Sequence, residues 1–108
     1  MIKRSFPRVR LSADATIVAR GACYRGMLEN ISLTGVFVRT KLPVDVGDTA
    51  DITLPLPTAS QHTPIEFKGT VVRVEEDGMA CRILNIDHAT FADLKSILKN
   101  KNVRKLAA

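Results

Sequence analysis

Two arginines near the start of the chain have the spacing and the chemistry to hold an anionic ligand. Arg4 and Arg8 lie in the segment RSFPR, which shows neither helical nor strand periodicity. A guanidinium donates two parallel N–H bonds, and this fork matches a phosphate or the adjacent O6 and N7 acceptors of guanine. Pro7 fixes one φ angle, which lowers the entropy lost when the segment becomes ordered. Because solvated basic tails also carry such pairs, the arginines alone do not define a specific site.

A second polar cluster has the sequence NISLTG, from Asn30 to Gly35. It predicts a turn between two strands, because Asn, Ser and Gly favour local hydrogen bonds and positive φ angles. In an extended chain Asn30 and Ser32 point to the same face, where an amide and a hydroxyl can bond to a base or a phosphate. Gly35 permits a tight turn or a close approach of another backbone. By itself this composition is that of an ordinary turn.

The other reactive side chains form no catalytic or metal-binding pattern. His62 and His88 have no nearby cysteine or second histidine, which predicts surface histidines. Cys23 and Cys81 lie far apart with no CxxC pair, which predicts free thiols. Ser32 lacks the GxSxG setting of a hydrolase nucleophile, and no glycine-rich phosphate loop is present. We therefore expect a protein with no catalytic residues, no metal and no cofactor.

Composition and charge narrow the class of protein and point to an anionic partner. The chain has 108 residues, 45% of them hydrophobic and 25% charged, as in one ordinary globular domain. The net charge of +5 fits a nucleic acid, a nucleotide, a phospholipid or an acidic protein surface, without choosing among them. There is no apolar run of about 20 residues for a membrane span, and the N-terminus lacks the apolar stretch of a secretory signal. We expect a cytoplasmic location.

Short strands and a final helix must position these residues. Period-two alternation and turn residues predict strands over about 9–17, 24–29, 36–40, 49–54, 65–75 and 79–84, with Gly21 ending the first and Asp77-Gly78 turning the last pair. This spacing is typical of a barrel or a sandwich. The apolar residues Phe91, Leu94, Ile97 and Leu98 recur at helical spacing. They predict a helix over 88–101 with Asp87 as its N-cap, packed on the barrel or covering one of its openings.

The order of these features resembles the PilZ domain family. The two family signatures, RxxxR and, further along, [D/N]xSxxG, are complete here as RSFPR and NISLTG. The resemblance extends over nearly the whole chain, since 42–54 resembles the family's loop and following strand, and 69–74 with 78–83 resembles its late hairpin. That hairpin often carries glycine where this chain has Ala80. The resemblance implies an all-β fold, a six-stranded antiparallel β-barrel with a C-terminal α-helix.

The same resemblance implies a receptor for the bacterial second messenger cyclic di-GMP. Carried over residue by residue, Arg4 and Arg8 would hold guanine and phosphate groups. Asn30 and Ser32 would contact a guanine, and Gly35 would shape the turn. In this interpretation the ligand is cyclic di-GMP, and the protein is a receptor without an activity of its own.

The resemblance also implies a moving segment. In the family the arginine segment is mobile without ligand and wraps across the barrel with it. Here that segment is 1–9, ahead of a barrel over 10–84 and a helix over 88–101 in a single domain. Lys3, just before the first arginine, is an additional candidate contact and leaves open whether one ligand or a stacked pair binds. Signalling is expected to occur in trans through a protein partner, in motility, matrix production or transcription.

Two other functions stay open at this point. A small basic barrel can bind RNA or single-stranded DNA, although such proteins use exposed aromatic residues for stacking, and this chain has one Tyr and four Phe. A PilZ-like adaptor could contact a protein partner after losing its ligand, although both signatures are intact. Nucleic-acid binding would show a strong salt dependence and would resist displacement by cyclic di-GMP.

Replacing either signature arginine tests the predicted site. A bidentate arginine–guanine pair is worth about 1–3 kcal/mol of discrimination. Arg4→Ala and Arg8→Ala are each expected to weaken cyclic di-GMP binding by about tenfold or more, with the barrel still folded. Calorimetry measures the affinity, and circular dichroism checks the fold. Unchanged affinity in both variants would remove these residues from the site.

Overall fold

Within residues 8–56 and 64–107, which the computed structural model describes, six antiparallel strands close into a barrel and one helix follows. The elements are β1 Val9–Ala19, β2 Ala22–Ile31, β3 Gly35–Arg39, β4 Thr49–Leu54, β5 Ile65–Glu75, β6 Gly78–Asn85 and α1 His88–Ala107. Around the barrel the strands follow the order β1-β2-β3-β6-β5-β4. The predicted fold class is confirmed, while Lys3, Arg4 and His62 lie outside the described residues.

The core lies inside the barrel and follows the alternation of the strands. The largest fully buried side chains include Ile17, Leu28, Ile31, Ile52, Leu54, Ile65 and Met79. Helix α1 contacts β5 and β1, and its Leu94 and Leu98 join the same core. Burial of a leucine side chain contributes about 1.5–3 kcal/mol. The predicted packing of the helix on the barrel is therefore confirmed.

The helix begins where the sequence predicts and ends later. Asp87 Oδ1 accepts the backbone N–H of Thr90 at 2.8 Å, and this bond is the main cause of a lowered pKa for Asp87. Asp87 is thus the predicted N-cap. The helix continues to Ala107, past the predicted end at 101, because 99–107 contains no glycine or proline to stop it.

In the described part of the chain no helix combines the length and the apolar character needed to cross a membrane.

A strained two-residue turn joins β1 to β2. Ala19 pairs with Ala22, and the two residues between them, Arg20 and Gly21, have φ angles of 52° and 75°. Positive φ at both positions is the pattern of a type I′ hairpin turn. Glycine adopts a positive φ angle freely, whereas an arginine residue adopts it at a cost in free energy. The conformation of Arg20 must therefore be held by its contacts.

Those contacts are with the loop between β3 and β4. Arg20 Nε donates to Asp48 Oδ2 and Arg20 Nη2 donates to Asp45 Oδ2, both at 2.8 Å. Asp48 Oδ2 also accepts the backbone N–H of Asp45 at 2.9 Å. The Asp45 N–H, followed by the Arg20 side chain, lowers the pKa of Asp48. The loop is also joined to β5, because the N–H of Gly47 donates to Val71 O and the N–H of Val71 donates to Asp48 O, both at 2.8 Å.

The charge of Asp48 should make part of the stability depend on pH. Because its pKa is lower in the folded chain, its contribution is present above the unfolded pKa of about 3.9 and is lost as pH falls through the folded value. We expect Asp48→Asn to lower the thermal unfolding midpoint at neutral pH. The difference from wild type should shrink toward about pH 3, below the ordinary aspartate pKa.

The control for this experiment is Asp51→Asn. Asp51 makes an exposed ion pair with Lys68 at 2.9 Å, and exposed pairs contribute little. The midpoint of this control should change by much less than that of Asp48→Asn. A midpoint difference for Asp48→Asn that is equal at neutral and acidic pH would contradict the role given to the carboxylate charge.

Candidate ligand-binding site

The NISLTG segment forms a tighter turn than predicted, and Ser32 builds it. Asn30 and Ile31 still belong to β2, and β3 begins at Gly35. The Ser32 N–H donates to Gly35 O at 2.8 Å, while Ser32 Oγ accepts the N–H groups of Thr34 and Gly35, both at 3.2 Å. Ser32 is only 1% exposed. Its hydroxyl therefore satisfies the turn, and its predicted ligand contact stays a prediction.

Gly35 is required by close packing of two backbones. It pairs with Arg82 across β3 and β6, and a Cβ atom at this position would lie 2.8 Å from Cys81 O. Real Cβ atoms do not approach an oxygen that closely, so a larger residue would push the strands apart. The predicted close backbone approach is present, and its partner is β6. Gly35 also lines the cleft described below.

A β-bulge turns Asn30 toward the outside of the barrel. Against β3, Leu28 pairs with Val38 and Asn30 pairs with Phe37, so Glu29 is an extra residue. Leu28 and Ile31 are both fully buried although they are three positions apart, which an unbroken strand would not allow. The extra residue shifts the alternation and re-aims the next side chain. Asn30 consequently lies on the outer face.

The two signature segments meet at a hydrogen bond between their side chains. Arg8 Nε donates to Asn30 Oδ1 at 2.7 Å. Arg8 directly precedes β1, and Arg10, two residues further along, pairs with Asn30 in the ladder. This pairing brings the end of the RSFPR segment beside the NISLTG turn. The Arg8 Nη groups and the Asn30 amide N–H groups have no hydrogen-bond partner among the described residues. They remain available to a ligand.

Arg8 and Asn30 lie at one side of an open cleft on the outer face of β2, β3, β6 and β5. The cleft has a volume of about 540 Å³, and the residues that matter most around it are Arg8, Asn30, Gly35, Phe37, Arg73 and Arg82. This volume lies within the range of small-molecule sites. Three guanidinium groups among the described residues surround the cleft and make it attractive to an anion. Arg4 and Lys3 lie outside the described residues, so their places relative to the cleft stay predictions.

The aromatic ring of Phe37 forms the floor of this cleft. Arg73 Cζ lies 5.8 Å from the centre of the ring, within cation–π range. Gly78 makes room for the ring, because a Cβ at position 78 would lie 2.5 Å from Phe37 Cζ. Ala80, opposite Phe37 in the ladder, is also small. The small residues on β6 thus leave room for an aromatic side chain on the outer face.

The sequence does not single out Phe37 or Arg82, and it shows Arg39 and Arg73 only as two strand arginines that could extend a basic surface. The structure separates the last two, because Arg73 lines the cleft and Arg39 does not. Arg39 Nε lies 2.6 Å from Glu29 Oε1, an ion pair without hydrogen-bond alignment, and its Nη1 donates to Asp77 Oδ2 at 2.8 Å. Arg82 could have been found from its place on the predicted hairpin, where it is an arginine on the outward-facing side.

The two cysteines differ in their surroundings. Cys23 and Cys81 are both free thiols, as predicted. Cys81 lines the cleft but is buried, and burial raises its pKa to about 11, so the thiol is neutral and unreactive near neutral pH. In the described ranges no three His, Cys, Asp or Glu side chains come together to hold a metal ion. The donors that line the cleft include three arginine side chains and the Asn30 amide.

The fold and the cleft together define a small β-barrel binding module with an arginine-lined outer face. The family model of the PilZ domain matches residues 2–100. The chain belongs to the PilZ domain family, a family of cyclic di-GMP receptors that act as ligand-binding or adaptor modules. No curated protein matches the sequence.

Solved structures share this fold. The structure of the Bacillus subtilis inhibitor of motility, MotI/DgrA, aligns over 99% of this chain with a TM-score of 0.78 and 21% identity. The chain spans about half of that protein, 53% of its length. The PilZ domain of CeSA from a cellulose-synthesizing bacterium aligns over 87% of this chain and 96% of its own length, with a TM-score of 0.71 and 10% identity. At these identities the likeness supports the fold alone.

Replacing Ser32 separates its role in the turn from a role in binding. Ser32→Ala leaves the buried N–H of Gly35 and the part-buried N–H of Thr34 without their acceptor, which costs about 1–3 kcal/mol. Urea unfolding should show a loss of this size. Thr34→Ala removes only the 3.3 Å contact of an exposed hydroxyl with Ser32 Oγ and leaves both N–H bonds to Ser32 in place. It is the control and should change stability by less than about 0.5 kcal/mol. Equal stability of Ser32→Ala and wild type would contradict the structural role of the hydroxyl.

Proposed function

We propose that this protein is a cyclic di-GMP receptor that binds its ligand in the cleft between Arg8, Asn30 and Arg82. The observation that carries the proposal is the 2.7 Å hydrogen bond between Arg8 and Asn30, because it joins the two signature segments at the edge of an arginine-lined cleft. Cyclic di-GMP carries two phosphates and two guanines. Guanidinium forks suit both groups.

Each signature residue has a part in this proposal. Arg4 and Arg8 hold guanine and phosphate groups, and Asn30 contacts a guanine through its free amide donors. Ser32 and Gly35 shape the turn beside the ligand, where Ser32 is also carried over from the family as a guanine contact. Lys3 is a further contact outside this set. The open cleft leaves room for one ligand or for a stacked pair.

Signalling follows from ordering of the segment 1–9. Arg8 is already fixed to Asn30, so ligand binding would draw the residues before it, with Arg4, across the outer face of the barrel. The ordered segment would create or hide a surface for a protein partner, and the signal would pass in trans. Motility, matrix production and transcription are the outputs expected by family analogy. This role places the protein in the bacterial cytoplasm.

The two alternative functions have less support in the described residues. A barrel that binds single strands needs exposed aromatic faces, whereas Phe37, the aromatic residue of the cleft, is 8% exposed and lies under Arg73. An adaptor without a ligand would not need unpaired donors on Arg8 and Asn30 beside an open cleft. The test below separates all three functions.

Titration of the purified protein with cyclic di-GMP tests the proposal directly. We expect saturable binding near micromolar affinity, about −8 kcal/mol, with GTP and cyclic di-AMP binding much more weakly. Salt-dependent RNA binding that cyclic di-GMP does not displace would favour the nucleic-acid function. Failure to bind either ligand, together with capture of a specific protein partner, would favour the adaptor.

Hydrogen exchange tests the conformational switch separately. Amides of 1–9 that precede β1 should be protected by cyclic di-GMP, while those of the strand pair β5–β6 should change little. In Arg4→Ala the protection of 1–9 should be reduced even at saturating ligand. Equal protection of the segment with and without ligand would contradict the switch but would leave the receptor function intact.

A further inference from the structure

Arg73 lies outside both signatures, and its surroundings differ from those of Arg8 and Arg82, the other described arginines on the cleft. We propose that Arg73 reads the N7 and O6 edge of a guanine of the ligand, and that Glu75 is the positioning residue that fixes its guanidinium for this contact. This inference rests on the proposed function and specifies which residue recognises the base.

A second bulge places Arg73 on the outer face. Against β6, Val71 pairs with Cys81 and Arg73 pairs with Ala80, so Val72 is an extra residue in β5. Val71 is 1% exposed and faces the core. Without the extra residue Arg73 would share that inward face, since positions two apart point the same way. The bulge instead turns Arg73 outward, opposite the small side chain of Ala80.

Two contacts fix the guanidinium of Arg73. Its Nε donates to Glu75 Oε2 at 2.7 Å, and its Cζ lies 5.8 Å from the centre of the Phe37 ring. The Nη1 and Nη2 groups have no partner among the described residues. These two groups form the end of the guanidinium that donates parallel bonds. Arg73 therefore presents a pre-oriented pair of donors at the rim of the cleft.

Such a fork distinguishes guanine from adenine. Guanine offers two neighbouring acceptors, O6 and N7, whereas adenine replaces O6 with an amino donor that opposes the arginine N–H. Fixing the fork in advance reduces the side-chain entropy lost on binding. Glu75 also compensates the charge of Arg73, so Arg73 adds less to general attraction of anions than an unpaired arginine does.

The other arginines of the cleft lack this combination. Arg8 has its Nε bonded to Asn30, but no aromatic ring lies beneath it among the described residues. Arg82 has neither a carboxylate nor a ring partner within the described ranges. A guanidinium that lacks both a carboxylate and a ring partner is suited to a phosphate, which accepts bonds from several directions. We therefore assign the reading of one guanine edge to Arg73, beside the guanine and phosphate contacts of Arg4 and Arg8.

The test uses cyclic di-GMP and its 7-deazaguanine analogue, which has the same charge and lacks only the N7 acceptor. Wild type should prefer cyclic di-GMP over the analogue by at least about fivefold, the effect of one hydrogen bond. In Arg73→Ala the affinity for cyclic di-GMP should fall about tenfold, and the preference over the analogue should fall by about fivefold. Arg73→Lys keeps the charge without the fork and should also lose most of the preference.

The matched control is Arg39→Ala. Arg39 is also an exposed strand arginine paired to carboxylates, but it does not line the cleft. Its removal should leave the preference for cyclic di-GMP over the analogue unchanged. Thermal unfolding of each variant confirms that the barrel is intact.

Glu75→Gln tests positioning. It should lower the preference in the wild-type background and have no further effect in Arg73→Ala, because Glu75 acts through Arg73. A merely structural role for Glu75 would lower both affinities equally and leave their ratio unchanged.

The outcomes distinguish this inference from the proposed function. If Arg73→Ala binds cyclic di-GMP with wild-type affinity, or loses affinity for both ligands by the same factor, base reading by Arg73 is overturned and the receptor function stands. If wild type fails to bind cyclic di-GMP at about 1 mM, where binding is weaker than about −4 kcal/mol, the proposed function and this inference both fail.

Discussion

The alternation of side chains across a β-strand is the constraint on which the cleft depends. Residues two apart share a face, so an arginine that follows a core residue at that spacing would point into the barrel. Two extra residues, Glu29 in β2 and Val72 in β5, interrupt the alternation. Each interruption brings the following polar side chain, Asn30 or Arg73, to the outer face. The cleft thus depends on two of the four register irregularities that the described strands show.

Some residues of the two signatures build the site, and others present hydrogen-bond donors to a ligand. Ser32 and Gly35 are buried and hold a turn and a close strand contact. Arg8 and Asn30 are more accessible and are joined by one hydrogen bond. An exposed bond of this kind adds little to the stability of the fold. Its importance lies in limiting the number of conformations that the arginine samples before a ligand arrives.

Much of the fold could be predicted from the sequence, because it follows from local patterns. Alternating apolar residues located the strands, Asp77-Gly78 located the last hairpin turn, and Asp87 located the start of the helix. The sequence predicts that the helix ends at 101, whereas it continues to Ala107. This end could not be predicted, because the sequence there has neither a stop signal nor a regular apolar stripe.

The site was only partly predictable, because bulges leave no clear signal in sequence. Phe37 reads as a core residue in a β-branched run, and only the small residues of β6 reveal that it lies outside. Arg82 and Arg73 are outward-facing for reasons of strand register. The burial of Ser32 likewise depends on backbone N–H groups whose direction a sequence does not show. Arg8 and Asn30 were found because side-chain chemistry and family resemblance agreed.

The loop that carries Asp48 has a consequence for how this domain can change over evolution. Surface loops usually tolerate insertions, because their backbones bond mainly to water. Here Gly47 and Asp48 bond through their backbones to Val71, the residue directly before the β5 bulge. A residue inserted beside them would have to preserve both bonds or change the strand register at the rim of the cleft. This connection should therefore vary little in length, even where its exposed side chains vary freely.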